Sequence, residues 1–170
     1  EVYFDGQGYA QKDEIAQVRK YHKNPNMWDY FLRTRIAVDS LEDLLDEKEG
    51  NLDKVQMLFA DMEEREEAWK ELEREGVFEL VGSLQYNIEI NAVGVNKGTG
   101  LVNLGKMLGI RREEIMACGD GDNDIAMLKE VGFGVAMANA EEKVKAVADY
   151  ITESNNDEGV AKAIEKFVLK

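Results

Sequence analysis

The sequence predicts an α/β chain in two modules: an N-terminal α+β piece with a mainly antiparallel sheet, then the C-terminal half of a doubly wound parallel sheet. Three observations carry that prediction. From Lys97 onward, short apolar strands alternate with helical stretches of roughly ten residues, the pattern of parallel βαβ units. Before residue 91 strand candidates and helices mix without that regular alternation, opening on a hairpin, as in a mostly antiparallel α+β piece. And 170 residues, 44% of them hydrophobic, suffice for one ordinary domain or two small ones.

Taken in order, "VYFDGQGYA" reads as a hairpin with Asp5-Gly6 at its turn. Residues 12–22 place Ile15, Val18 and either Tyr21 or His22 at helical spacing, with His22 at the helix end or the surface. "KNPNMWD", which holds the only proline, Pro25, reads as a loop. Trp28, Tyr30 and Phe31 are either core or pocket lining. "SLEDLLDE" predicts a short helix capped by Ser40, with Asp43 at its third position. "KVQMLFA" (54–60) predicts a strand. The next segment predicts a longer helix, opened by Asp61, ended by Gly76 and carrying Met62, Arg65, Trp69 and Leu72 on one face. "VFELVGS" and "YNIEINAV" follow as strands. The second module then runs helix (98–108), strand "EIMAC", helix "DIAMLKEV", strand "GFGVAM", helix "EEKVKAVA", strand "DYIT" and helix "GVAKAIEKFVL".

Acids outnumber bases 35 to 21, a formal charge of −14, which repels a phosphate backbone and argues against nucleic acid as a partner. No apolar run reaches the roughly 18 residues of a membrane span, and "EVYFDGQGYA" lacks the basic start and apolar stretch of a signal peptide, so no membrane partner is expected. Cys118 is the only cysteine, which points to a reducing compartment and hence the cytoplasm. It lies in "IMAC", as a small core residue.

One stretch, "MACGDGDNDIAML", crowds Asp120, Asp122, Asn123 and Asp124 together after a predicted strand. Ligands of open α/β sheets gather at that end of the strands. Gly119 and Gly121 are expected to permit a tight turn with unusual φ values, and Asp122 or Asn123 to cap the helix that follows. Capping needs one such residue, whereas oxygen ligands for Mg²⁺ would use several. An EF-hand is excluded, because Ile125 and Val131 stand where its Gly and Glu belong. "GVNKGTG" is not a Walker A loop, since Gly follows Lys97, and Met137 spoils a dinucleotide fingerprint in "GFGVAM". Lys97 opens a helix, where the dipole disfavours a cation unless an anion lies beside it. Lys97 and a Mg²⁺ on Asp120 would together clamp a phosphoryl group.

"VNKGTGL" (95–101), "GDGDNDIAML" (119–128), "GVAMANA" (134–140) and "ADYITESNNDEGVAKAI" (148–164) together resemble haloacid dehalogenase-like (HAD) phosphatases of the Cof type, subfamily IIB. The resemblance is close over about residues 88–170 and looser, in the manner of a cap domain, before them. It implies a cap at 1–91 and the C-terminal part of the catalytic core at 92–170. It also implies a Mg²⁺-dependent phosphomonoesterase working on a small phosphorylated metabolite through an aspartyl-phosphate. By matched position Lys97 is the catalytic lysine that steadies the nucleophile and the phosphoryl group. Asp120 is similar to the metal-binding carboxylate, Asp124 to the second acid that orients the metal's waters or Lys97, and Asn123 to a residue approaching the phosphate. Asp122 falls at a variable position.

The family's DxDGT nucleophile motif and its following Ser/Thr motif have no match. "VYFDGQG" has Gln7 and Gly8 where the second Asp and the Thr belong, and "LVGS" (80–83) lies too close to Lys97. The expectation is therefore a fragment that lacks roughly 80 residues of its parent, within the usual domain size, and that is inactive alone. Its "IMAC" strand is expected to form an open sheet edge that recruits the missing N-terminal segment or a second copy of the chain. The alternatives are a phosphomannomutase-like phosphotransferase on the same scaffold, or a non-catalytic ligand- or partner-binding protein.

Overall fold

The computed structural model describes residues 1–22, 24–48, 50 and 52–169, which divide into two compact units, Glu1–Val93 and Gly94–Lys170. The first unit opens with the expected hairpin of β1 (Val2–Phe4) and β2 (Gln7–Gln11). Asp5 (φ 51°) and Gly6 (φ 74°) both adopt the left-handed backbone that a two-residue turn needs to match the twist of its strands. The next segment is not one helix but two, α1 (Lys12–Ala16) and α2 (Val18–Tyr21), broken at Gln17. The expected loop around Pro25 is a helix, α3 (Pro25–Thr34). Proline occupies its first position, where a missing N–H goes unnoticed, and the Asn24 side chain caps it by accepting from the Asn26 amide at 3.0 Å. A strand that the sequence analysis did not anticipate, β3 (Arg35–Val38), then pairs parallel with β2.

The remaining elements of this unit follow the pattern read from the sequence. In α4 (Leu41–Glu47) the Ser40 hydroxyl accepts from the Asp43 amide at 3.1 Å. After β4 (Leu52–Leu58) comes α5 (Met62–Glu75), capped by Asp61 and stopped by Gly76 at φ 66°. Strands β5 (Phe78–Val81) and β6 (Asn87–Ala92) complete a six-stranded sheet of order β3-β2-β1-β4-β6-β5, antiparallel except between β2 and β3. Alternate residues serve its two faces. Val2 and Phe4 pack with Leu44 on one face, and Ala10 packs with Val18 and Phe31 on the other. His22 lies at the end of α2 but is not a surface residue: it is 2% exposed, and its ring packs tilted against Phe31 and edge-on to Tyr86. Of the three aromatics left open between core and pocket, Phe31 is buried and borders a cavity of about 360 Å³, Trp28 is partly buried and Tyr30 is exposed.

The second unit alternates as expected: α6 (Lys97–Leu108), β7 (Met116–Gly119), α7 (Ile125–Glu130), β8 (Phe133–Ala136), α8 (Glu142–Lys145), β9 (Tyr150–Ile151) and α9 (Gly159–Phe167). Its sheet, β7-β8-β9, is wholly parallel, and Leu128, Ala136, Ala140 and Val144 form a core cluster beside it. Gly98 lets α6 and α7 approach closely, since a Cβ there would lie 2.8 Å from the Ala126 carbonyl oxygen. That approach brings the start of α6 to the start of α7. Strand β7 pairs with β8 alone, and its other edge joins no ladder among the described residues. No helix among the described residues is long and apolar enough to cross a membrane.

Candidate active site

The acidic stretch lies at the C-terminal end of β7, where parallel sheets present their ligand-binding loops. Asp120 follows the strand directly, and Asp122–Asp124 form one turn of 3-10 helix that runs into α7. Gly119 and Gly121 are needed here for space and not for unusual φ. Neither has a positive φ, but a Cβ on Gly119 would lie 2.5 Å from the Asp124 Cβ, and one on Gly121 would lie 2.8 Å from Asn123 Oδ1. The loop therefore folds Asp124 back over the end of its own strand.

Asp124 is 6% exposed and both its oxygens are engaged. Its Oδ1 accepts from Lys97 Nζ at 2.6 Å, and its Oδ2 accepts from the amides of Asp120 and Gly121, each at 3.0 Å. Burial pushes this carboxyl pKa up, but the Lys97 ammonium and the Gly121 and Asp120 amides outweigh it, so the pKa lies below the ordinary aspartate value. Lys97 is the first residue of α6, whose amides are capped by Asn96: its Oδ1 accepts from Gly98 at 2.9 Å and Thr99 at 3.0 Å. A lysine placed against the helix dipole thus has its compensating anion in Asp124.

The other acids fare differently. The expected cap by Asp122 or Asn123 is not formed: α7 begins without a side-chain cap, and Asp122 forms an ion pair with Lys143 at 2.5 Å. Asn123 is half-buried, with its Oδ1 turned back over Gly121. Asp120 is exposed; its Oδ2 accepts from Asn139 Nδ2 at 2.9 Å, and it has no cationic partner among the described residues. Asn139 and Lys143 were missed in the sequence. "MANA" was visible as a motif, but nothing local says that its Asn reaches back to Asp120 across 19 positions. Cys118 is only partly buried, short of the core position expected, and that burial pushes its thiol pKa up, away from nucleophilic chemistry.

Among the described residues no three His, Cys, Asp or Glu side chains converge to hold a metal ion. Mg²⁺ does not require such a cage. It commonly takes one or two carboxylates and completes its shell with water and phosphate oxygens. The exposed Asp120 carboxylate, next to two acids whose charges lysines already balance, fits that partial donor set.

The sequence profile of haloacid dehalogenase-like hydrolases matches residues 2–164, across both units. The 5-amino-6-(5-phospho-D-ribitylamino)uracil phosphatase YcsE of Bacillus subtilis (strain 168) is 50% identical over 105 residues, which are 62% of this chain and 42% of that protein. A haloacid dehalogenase-like hydrolase from B. subtilis superposes with a TM-score of 0.77 at 29% identity, over 99% of this chain and 64% of that one. A HAD subclass IIB sugar phosphatase gives 0.73 at 26% identity, over 99% and 60%. The chain thus spans less than two thirds of each of these relatives. A parallel half-sheet and a mainly antiparallel unit match the Rossmann-like core plus cap of that fold, and with the matching profile they make this chain a member of the haloacid dehalogenase-like hydrolase family.

Proposed function

We propose that residues 1–91 are the substrate-selecting cap, and residues 92–170 the C-terminal part of the catalytic core, of a Cof-type, subclass IIB phosphomonoester hydrolase. Its substrate is a small phosphorylated metabolite such as a sugar phosphate, in keeping with relatives named for a phosphoribityl compound and for sugar phosphates. The observation that carries this reading is the Lys97–Asp124 pair beside the uncompensated Asp120 carboxylate, at the C-terminal rim of a parallel sheet.

In this reading Lys97 holds the phosphoryl oxygens, and Asp124 fixes the direction of the ammonium. Asn123 lies on the phosphate side of the loop, and Asp120, with Asp124 behind it, holds Mg²⁺. When bound, Mg²⁺ supplies positive charge to the transferring phosphoryl group. The nucleophilic aspartate belongs to a segment outside this chain, which seats on the open edge of β7; a second copy of the chain is the other occupant of that edge. The lone cysteine, Cys118, supports a cytoplasmic setting.

The test is a panel of phosphate esters with Mg²⁺, run with and without a sugar bisphosphate to detect mutase behaviour. The 170-residue chain alone is expected to release no phosphate, and the longer natural protein to turn over. Turnover by the chain alone would place the nucleophile within it. Inactivity of the longer protein on every ester would leave the binding-protein alternative in front.

A further inference from the structure

We propose that Asn139 is a positioning residue for Asp120, holding its carboxylate in one orientation so that Oδ1 faces the bound cation. This rests on the reading of Asp120 as a cation ligand given above.

The amide of Asn139 has only one way round. Its Oδ1 takes a hydrogen bond from the Asn155 backbone N–H at 2.9 Å, and a backbone N–H can only donate. Its Nδ2 therefore faces Asp120 Oδ2, at 2.9 Å, where an ionised carboxylate can only accept. The side chain is thus a spacer of fixed polarity between the loop after β9 and the acidic loop after β7.

The backbone that carries Asn139 is itself anchored. Met137 N–H donates to the Gly119 carbonyl at 3.0 Å, Ala138 N–H to Glu153 at 3.3 Å, and Ala140 N–H to Met137 at 3.0 Å. The Ala140 side chain is buried in the core cluster of the second unit. Asp120 itself is exposed and meets no lysine or arginine among the described residues, so without Asn139 its carboxylate would be free to rotate. The start of α8, just after this loop, reaches the acidic stretch a second time through Lys143 and Asp122, but that ion pair does not touch Asp120. The two ties are separable by mutation. Asn139 is exposed, so its removal leaves the core intact.

Groups that orient a metal-binding carboxylate typically contribute ten- to a hundred-fold to metal affinity. The experiment is a Mg²⁺ titration of the 170-residue chain followed by amide NMR shifts at Asp120 and Gly121, together with the Hα–Hβ couplings that report the Asp120 rotamer without metal. Asn139→Ala is expected to average the Asp120 rotamer and to weaken Mg²⁺ binding about tenfold. Lys143→Met, which removes a positive charge from beside Asp122, is expected to leave affinity unchanged or to raise it. Asn139→Ser serves in place of the alanine variant should that one lose its dispersed spectrum.

A single, unchanged Asp120 rotamer in Asn139→Ala, or unchanged affinity in that variant while Asp120→Asn abolishes the shifts, would overturn the positioning role and leave Asp120 as the ligand. Mg²⁺ shifts that do not depend on Asp120 would overturn both.

Discussion

Lys97 Nζ lies 2.6 Å from Asp124 Oδ1, although 27 residues separate the two in sequence. The contact joins the first residue of one helix to the residue before another, and Asp124 adds two amide hydrogen bonds that close the loop beneath it. Replacing Lys97 by Met, or Asp124 by Asn, should each cost about 1–3 kcal/mol, because either change leaves a polar partner of the half-buried pair unsatisfied. The double variant should lose less than the sum, with a coupling of about 1 kcal/mol in urea unfolding. Additive losses would mean that the pair is incidental to the fold of the second unit.

The depressed Asp124 pKa also sets a pH dependence. A carboxyl that titrates lower in the folded chain than in the unfolded one adds stability that is complete above its unfolded pKa, near 4. That contribution is lost as the pH falls through the lower, folded value. The acid limb of the stability curve should therefore flatten in Asp124→Asn, as followed by unfolding between about pH 5 and pH 2.

His22 acts in a higher window. Burial lowers its pKa, and the neighbouring Arg35 charge adds to this against the opposing pull of Glu1. The folded ring stays neutral while the unfolded one takes up a proton near pH 6.5, so stability should fall as the pH drops below that point. His22→Gln should show a smaller slope between about pH 7 and pH 5, whatever its own stability. An equal slope in both proteins would assign the effect to another group.

Two glycines make opposite predictions. Gly119→Ala drives a Cβ into the Asp124 side chain at 2.5 Å, and should cost about 1–3 kcal/mol while displacing the carboxylate from Lys97. Gly100 lies within α6 with nothing inside 4 Å of its would-be Cβ, so Gly100→Ala should stabilise by about 0.5–1 kcal/mol. Thermal unfolding of the two variants gives the comparison.

In the first unit Arg35 is nearly buried and donates from Nε to Glu1 Oε2 at 2.7 Å and from Nη2 to the Tyr3 hydroxyl at 2.6 Å. Arg35→Met leaves a buried carboxylate without its cation and should cost about 3–5 kcal/mol. Arg35→Lys should recover only part of this, because an ammonium cannot serve both partners with one planar fork. Urea unfolding of the three proteins tests the order.

Much of this was legible locally. The Asp5-Gly6 turn, the Ser40 and Asp61 caps and the Gly76 stop each depend on residues within three positions, and the structure has all of them. The errors came where one residue supports two readings. Pro25 ends some helices and begins others, and Asn24 before it was the signal that it begins one. Strand β3 is held by its parallel partner β2 from across 27 residues, with no alternation of its own: its burial runs intermediate, exposed, exposed, intermediate. In the candidate site, Lys97 and Asp124 could be related before the fold was known because one offers a charge the other needs. Asn139 could not, since an asparagine in a loop satisfies many partners and only the fold chooses Asp120.

The half-paired strand β7 leaves a signature in solvent exchange. In a parallel ladder successive amides point to opposite neighbours, and the bonds from Phe133 to the Ile115 carbonyl and from Met137 to the Gly119 carbonyl set the phase. Ala117 and Gly119 amides therefore face β8, and those of Met116 and Cys118 face outward. Deuterium should enter the second pair orders of magnitude faster than the first, and whatever strand completes the sheet will announce itself by slowing Met116 and Cys118 alone.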